Sequence, residues 1–393
     1  MPTPESIRVD VALVGGGLAN GLLALRLKAA RPDLRVVILE QGAALGGRHV
    51  WCCFASDIDE RIEAWLTPLL LHRWEAYEVR FPGYRRLAPI PFLMVGATRL
   101  HRAVSEALGD DLWTEVQVAE VGANRVRLTD GRLVEAPCVI DGRGRGDSPW
   151  LVLGWQKFLG VEIELNAPHG MTHPILMDAT VDQLDGHRFF HVIPLTPTQL
   201  AIQDTRYSDT PDLDLAQVRA AITAYAADQG WRVQRVTRSE TGVIPVALAG
   251  DIDALWRQSP EPRLGVRAGL FNPATGYSLP DAARMADEIA ALPTLTNATV
   301  RASIEAASRR LWRKRAFHLM INRMTFRASP PTRRHRLMER FYRLPTAVIE
   351  RFYAGETTVW DKLLTLIVSP PARLVPALRA LSPRSVTPRT PRR

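Results

Sequence analysis

The chain has 393 residues, of which 46% are hydrophobic and 23% charged, and its formal net charge is +9. This composition excludes a wholly disordered chain and is typical of a folded protein large enough for two or three lobes. No apolar run reaches the roughly 18 residues that span a bilayer, and the first residues do not predict a signal peptide.

The three cysteines predict free thiols rather than a disulfide framework. Cys52 and Cys53 are adjacent in the sequence, and Cys138 is far from both. Such a set favours a reducing compartment, and no group of cysteines and histidines has the spacing of metal ligands. We therefore predict a cytoplasmic protein without a bound metal.

The first predicted unit is a strand that runs through a glycine turn into a helix. The apolar run 9–14 is followed by three glycines in a row, and leucines at helical positions follow at 22–27. Glycines let a backbone approach a phosphate, and a helix start offers free N–H groups. Gly15 and Gly17 fit the dinucleotide-binding pattern, but Asn20 stands at the position of its third glycine.

A second strand extends this unit. The run 34–39 is apolar and ends at Glu40. In dinucleotide-binding folds, an acid about 20 residues past the glycine turn binds a ribose hydroxyl. Strand, turn, helix, second strand and acid in this order predict a dinucleotide site, and a tight turn that binds no ligand is the alternative.

Two later segments predict further strand ends that carry glycine. The run 136–140 leads into Asp141 and Gly142, and the segment 265–270 predicts a strand that turns at Gly269. Three such strand ends in one chain favour a flavin-sized dinucleotide over a nicotinamide one.

The middle of the chain predicts an inserted α+β segment. The runs 187–195 and 199–205 predict neighbouring strands, and 231–236 predicts another. Between them, Asp212 or Asp214 is expected to cap a helix that has one apolar stripe.

The last part of the chain is predicted to be helical and basic. Apolar residues at helical spacing, broken by prolines, fill 317–381, and the remaining residues predict a disordered basic tail. Basic charge near aromatic residues suits an anionic membrane or nucleic acid. Because we find no nucleic-acid-binding motif, we favour a membrane surface, with 312–326 as an interfacial patch. A core helix with a solvated basic face is the alternative.

Seven motifs give the chain a family resemblance. They lie at 14–21, 46–51, 139–144, 177–183, 267–280, 322–324 and 351–355. In these motifs, which span nearly the whole chain, the sequence resembles the bacterial lycopene β-cyclases, a family within the FAD-containing monooxygenase-like flavoproteins. The first and third motifs are shared by many flavoproteins, whereas those at 177–183 and 267–280 are specific.

The resemblance implies an α/β fold with a Rossmann-like FAD-binding domain, an inserted α+β substrate domain and a helical C-terminal lobe. The expected FAD-binding domain comprises 1–60, 98–150 and 262–300, the substrate domain 61–97 and 151–261, the lobe 301–381, and the basic tail 382–393. The implied cofactor-binding residues are Gly15, Gly17, Asn20, Glu40, Gly47, Arg48, His49, Asp141, Gly142, Gly269, Gly276 and Tyr277.

The resemblance also implies the activity: closure of both ψ-ends of lycopene into β-ionone rings, through γ-carotene to β-carotene. Other carotenoids with ψ-ends are further expected substrates. FAD is expected in its reduced form, with NADPH as the electron source, although the reaction has no net redox change. Lycopene is almost insoluble in water, so the enzyme is expected at the inner face of the cell membrane. The sequence does not indicate an oligomeric state.

Ring closure needs a protonated acid in a dry pocket, a negative group near the carbocation, and a base. The family strand reads apolar-Glu-Asp-Thr, but here Gln203 stands at the glutamate position, before Asp204. Because neighbouring strand residues face opposite sides, only one of the two side chains is expected to face the pocket. Asp204 is the predicted acid or its support. Two alternatives stay open: a flavin-dependent isoprenoid reductase or hydroxylase, and an impaired carotenoid-binding flavoprotein.

Overall fold

The computed structural model describes residues 6–144, 149–257 and 260–369 of the chain. Within these ranges the helices are α1 (Leu18–Ala30), α2 (Glu60–Leu66), α3 (Ala97–Leu108), α4 (Leu215–Asp228), α5 (Ile252–Arg257), α6 (Leu279–Ala290), α7 (Asn297–Lys314), α8 (Ala316–Ala328), α9 (His335–Phe341), α10 (Thr346–Ala354) and α11 (Val359–Val368). The strands are β1 (Ser6–Arg8), β2 (Val11–Val14), β3 (Val36–Leu39), β4 (Val50–Phe54), β5 (Leu70–Trp74), β6 (Tyr77–Phe81), β7 (Tyr84–Ala88), β8 (Phe92–Gly96), β9 (Leu112–Trp113), β10 (Val118–Val121), β11 (Arg125–Leu128), β12 (Leu133–Glu135), β13 (Cys138–Asp141), β14 (Leu151–Leu165), β15 (Ile175–Asp178), β16 (Gly186–Thr196), β17 (Gln199–Ser208) and β18 (Val233–Gly250).

A parallel sheet of four strands, in the order β13-β2-β3-β9, organises the first part of the chain. Its central strands are short runs of apolar residues that are buried on both faces, as parallel strands require. In the register of the sheet, Val14 pairs with both Leu39 and Asp141. The carboxyl ends of three strands therefore meet at one edge, where the first two of the predicted glycine-bearing strand ends lie side by side.

The largest sheet has seven strands in the order β18-β14-β17-β16-β15-β6-β7. The predicted neighbouring strands of the middle segment are its β16 and β17, which pair antiparallel. Asp214 caps α4 by accepting hydrogen bonds from the backbone of Ala216 and Gln217. Apolar side chains of α4 pack on one face of this sheet, which leaves the other face for a different partner.

The prediction of a strand at 265–270 is wrong. Residues Gly265–Ala268 form a 3-10 helix, and the backbone has a positive φ at both Gly265 (68°) and Gly269 (73°). Two left-handed positions this close together close a helical turn, with Gly269 N–H donating to the carbonyl of Val266. The local pattern of apolar and glycine residues does not separate this turn from a short strand.

The helical lobe is present as far as the description of the chain extends. Helices α8 to α11 follow α7, and the predicted basic tail 382–393 lies outside the described residues. The interfacial patch predicted at 312–326 is largely core instead. Leu319, Met324 and Phe326 are all buried, because α8 packs against β18 and its neighbouring helices.

Candidate functional site

A glycine-rich cleft of about 560 Å³ lies at the carboxyl edge of the parallel sheet. Seven of its lining residues are glycines, contributed by the turn after β2, the turn before β4 and the turn after β13. Gly15, at the first turn, has a φ of 90°, a conformation that favours glycine. Gly17 precedes α1, and no side-chain cap is bonded to this helix start. The cleft therefore presents backbone N–H groups and a helix N-terminus to an anion.

Glu40 holds the glycine turn beside the cleft. Its carboxylate accepts a hydrogen bond from Gly16 N–H at 2.6 Å and another from Gly42 N–H at 2.7 Å. The side chain also lines the cleft. Carboxylate oxygens have further lone pairs, so this placement fits the ribose-binding acid that the sequence predicts.

Asn20 and Gly142 fit together across the turn. The amide of Asn20 donates to the carbonyl of Val14 at 3.0 Å and to that of Gly15 at 2.8 Å. A Cβ atom on Gly142 would lie only 2.5–2.8 Å from the side-chain atoms of Asn20. Asn20, at the position of the third glycine of the pattern, thus binds the end of β2 through its side chain. The absence of a side chain at Gly142 leaves space for the Asn20 amide.

Asp141 joins two arginines at the end of β13. It pairs with Arg143 at 2.9 Å and with Arg267 at 3.0 Å. Burial opposes the charge of Asp141, but the hydrogen bond from Arg143 and the charge of Arg267 outweigh it and hold the pKa of Asp141 below its usual range. Asp141 therefore positions Arg143, which lines the cleft between Gly142 and Gly144.

The other predicted cofactor residues divide into two groups. Gly47 and His49 line the cleft, and Arg48 between them points to solvent. Gly269, Gly276 and Tyr277 lie outside the lining of the cleft. Gly276 has a φ of 74° and packs against Ile244, and Tyr277 belongs to an aromatic cluster with Phe54. A role of Gly269, Gly276 and Tyr277 in cofactor binding stays a prediction.

A second cavity, of about 70 Å³, adjoins the cleft on the face of the seven-stranded sheet opposite α4. Its floor is formed by β14, β16, β17 and β18, and Val50, next to His49 of the cleft, closes one side. Its lining is mostly apolar, as a hydrocarbon substrate would need. Five polar side chains interrupt this apolar lining: Glu162, His191, Gln203, Arg238 and Glu240.

Gln203, not Asp204, faces this cavity. Asp204 is fully buried on the opposite face of β17, where it shares a side with Leu200 and Ile202 next to α4. Its two oxygens accept three hydrogen bonds from Arg188, at 2.9–3.1 Å. A carboxylate held in this way has no access to the cavity and does not fit a proton donor. Asp204 remains a support of the strand that carries Gln203.

A charged cluster links the cavity to the cleft. His49 Nδ1 lies 2.5 Å from Glu240 Oε1, and Arg238 lies 3.0 Å from Glu240 and 2.6 Å from Glu162. The hydrogen bond with Glu240 raises the pKa of His49 above its usual value, although partial desolvation and Arg238 act against the increase. His49 therefore holds its proton to a higher pH than a free histidine.

His191 is a second uncharged polar group of the cavity, beside Gln203. Burial lowers its pKa to about 4, and its Nε2 atom is buried without a hydrogen-bond partner. At neutral pH the imidazole is therefore uncharged. An uncharged imidazole is a weak acid, so His191 does not fit the donor of a proton to an alkene.

Sequence reasoning missed Arg143, Glu162, His191, Arg238 and Glu240. Arg143 follows the predicted Asp141-Gly142 pair directly, so its place beside the cleft was open to prediction. The other four are on three strands, and the pairing of β14 with β18, which brings Glu162 to Arg238 and Glu240, has no local signal in the sequence. Within the described residues, no cluster of three metal-ligating side chains occurs, and no helix is long and apolar enough to cross a membrane.

The chain is similar to known lycopene cyclases over nearly its whole length. A family model described as "Lycopene cyclase protein" matches residues 10–379. The chain is 44% identical over 372 residues to the lycopene beta-cyclase of Pantoea ananas, covering 95% of this chain and 97% of that protein. It is also 44% identical over 380 residues to the lycopene beta-cyclase of a Paracoccus strain, covering 95% and 97%.

Solved structures share the fold at low sequence identity. A geranylgeranyl bacteriochlorophyll reductase-like protein of Thermoplasma acidophilum has a TM-score of 0.58 at 12% identity, covering 93% of this chain and 98% of its own. A probable FAD-dependent monooxygenase of Pseudomonas aeruginosa has a TM-score of 0.51 at 17% identity, covering 77% and 92%. The predicted fold class, an α/β flavoprotein fold of the FAD-dependent monooxygenase type, is confirmed.

Proposed function

The chain belongs to the lycopene cyclase family, and from this premise we propose that it closes the ψ-ends of lycopene into β-ionone rings, giving β-carotene through γ-carotene. Ring closure is an acid-catalysed isomerisation that starts and ends with the same atoms. It needs a dry, apolar space for the end group and a proton donor at its wall. The observation that carries this proposal is the apolar cavity beside the glycine cleft, with a charged cluster between the two.

The cleft fits FAD, which we propose as the cofactor. Gly15, Gly17 and the start of α1 would hold its phosphates, and Glu40 its ribose. His49 lies where the cleft meets the cavity, so it would be close to the flavin ring. When bound in its reduced form, with NADPH as the electron source, FAD would supply a fixed negative charge close to the carbocation.

The substrate is a long hydrocarbon, so we propose that the enzyme takes it from the inner face of the cell membrane. Helix α11 supports this proposal better than the stretch at 312–326. Its exposed side chains are Val359 (74%), Trp360 (67%), Leu363 (48%) and Ile367 (70%). At 3.6 residues per turn these four lie within an arc of about 100°. Such a face, on a chain with a net charge of +9, suits an anionic bilayer surface.

We expect the double variant Trp360→Asp/Ile367→Asp to bind anionic liposomes at least about tenfold more weakly, because each large apolar side chain contributes roughly 1.5–3 kcal/mol when buried. Liposome co-sedimentation measures the effect. The matched control is Leu215→Asp/Val233→Asp, which changes two exposed apolar residues on α4 and β18. Equal binding of both double variants would contradict the assignment of α11.

The activity is tested by incubating the protein with lycopene in liposomes, FAD and a reductant without oxygen, followed by pigment analysis. We expect γ-carotene and then β-carotene, with no NADPH consumed per ring once the flavin is reduced. Consumption of one NADPH per product would indicate a flavin reductase instead. Return of unchanged lycopene would indicate a carotenoid-binding protein.

A further inference from the structure

We propose that Glu240 delivers the proton for ring closure, using a proton that it shares with His49. The inference rests on the proposed function, because it names the acid of that reaction. The starting point is Gln203, which faces the cavity but has an amide in place of a carboxyl group. An amide has no proton to give to an alkene.

The lining of the cavity narrows the choice of donor to two carboxyl groups. Asp204 is on the other face of the sheet, and His191 is neutral. Glu162 and Glu240 remain. Glu162 is joined only to Arg238 in the described contacts of this cluster, whereas Glu240 also contacts His49, which connects it to a source of protons at the cleft.

The register of the sheet sets Glu240 beside the position of Gln203. Gly160 on β14 pairs with Gln203 on one side and with Glu240 on the other. Side chains in one such row point to the same face. The nearest neighbours of a Cβ on Gly160 would be the atoms of Gln203, at 3.7–3.8 Å. Glycine at position 160 thus leaves the space between the two side chains open, and we place the end group of the substrate there.

The charges of the cluster support a donor. With His49 protonated, the two carboxylates of Glu162 and Glu240 balance the charges of Arg238 and His49. Loss of one proton leaves the cluster with a net negative charge, directly beside the cation that this proton creates. In an apolar cavity this attraction is much stronger than in water. The side chain of Glu240 is about 18% exposed, so little solvent screens its charge, whereas the side chain of His49 is 58% exposed.

The proposed step balances atoms and charge. A proton passes from His49 to Glu240 and from its carboxyl oxygen to C2, and the electron pair of the C1=C2 bond forms the new C–H bond. The C5=C6 pair then bonds C6 to the cation at C1. This leaves the positive charge at C5. The C6 proton then returns to the carboxylate of Glu240, and the electron pair of the C6–H bond forms the ring double bond between C5 and C6. Glu240 passes the proton back to His49, which restores the starting state. No electron is gained or lost.

This assignment predicts a basic limb in the pH profile. The hydrogen bond from Glu240 raises the pKa of His49, so the transferable proton is present below that raised value and is lost as the pH rises through it. The groups near this pair are Arg238, Glu162, the neutral Gln203 and His191, and Cys52 on β4. Burial and the charge of Glu240 raise the pKa of the Cys52 thiol to about 12. None of these supplies a replacement proton at alkaline pH.

The test is Glu240→Gln, which has nearly the same shape and keeps an oxygen for Arg238. We expect kcat to fall about 10²- to 10⁴-fold, as for loss of a general acid, with KM for lycopene and FAD affinity nearly unchanged. NMR titration should show the pKa of His49 falling towards its usual value. The matched control is Glu164→Gln, which changes a carboxyl on the neighbouring strand β14, outside the cavity. The double variant Gln203→Glu/Glu240→Gln should recover part of the lost rate.

Each result decides the assignment. A Glu240→Gln variant within about threefold of the wild-type kcat would overturn it, since a general acid contributes far more. Loss of FAD binding together with activity would show a structural role and also overturn it. If the wild-type protein itself forms no ring, the proposed function fails, and that outcome is distinct from an active wild type with an active variant.

Discussion

Replacing Gly160 by leucine should abolish ring closure while FAD binding and folding persist. The leucine side chain would fill the space between Gln203 and Glu240, in a cavity of only about 70 Å³. Gly160 has no positive φ, and leucine is acceptable in a strand, so the backbone carries no new strain. We expect a loss of at least about 100-fold in kcat/KM, equal to about 2.7 kcal/mol of transition-state stabilisation. Pigment analysis with purified protein measures kcat/KM, and flavin fluorescence measures FAD binding.

Gly160→Ala is the control for this prediction. A Cβ at this position meets its nearest neighbours at 3.7–3.8 Å, which is ordinary van der Waals contact. Alanine should therefore retain most of the activity. Full activity of the leucine variant would show that the end group binds elsewhere, and loss of activity in the alanine variant would show that position 160 has a different role.

The sequence predicted the position of the glycine-rich cleft because local patterns encode it. A buried apolar strand, glycines and a helix start occur within one short stretch, and Glu40 ends the next strand. The local sequence did not show why asparagine stands at position 20. Its amide pins Val14 and Gly15, and it depends on the space at Gly142, which lies on a strand far along the chain.

The residues that line the cavity were harder to predict from the sequence. Strand alternation correctly separated Gln203 from Asp204, but it did not show which of them faces the cavity. That choice depends on α4, which covers the side of Asp204, and on Arg188, which pairs with it there. Glu240 lies at the cavity because it pairs with Gly160, and no spacing of residues in the sequence indicates this pairing of β14 with β18.

Replacing Gly15 by valine should abolish FAD binding, and with it all ring closure. Its φ of 90° is unfavourable for a β-branched residue, and a Cβ would lie 3.0 Å from the side chain and 3.1 Å from the backbone of Arg143. The turn would have to move, and its N–H groups would no longer point to the phosphates. We expect an affinity loss of more than about 100-fold, or roughly 2.7 kcal/mol, in a flavin fluorescence titration.

Strain in the backbone alone costs about 1–3 kcal/mol of stability at such a position, so the comparison needs a variant with a similar φ elsewhere. Gly131 provides it, because its φ is 93°, a Cβ there meets no atom within 4 Å, and it is not part of the cleft. Gly131→Val should show a similar decrease in the free energy of unfolding but bind FAD like the wild type. If both valine variants lost FAD equally, instability would explain the loss, whereas a selective loss in Gly15→Val assigns the glycine turn to phosphate binding.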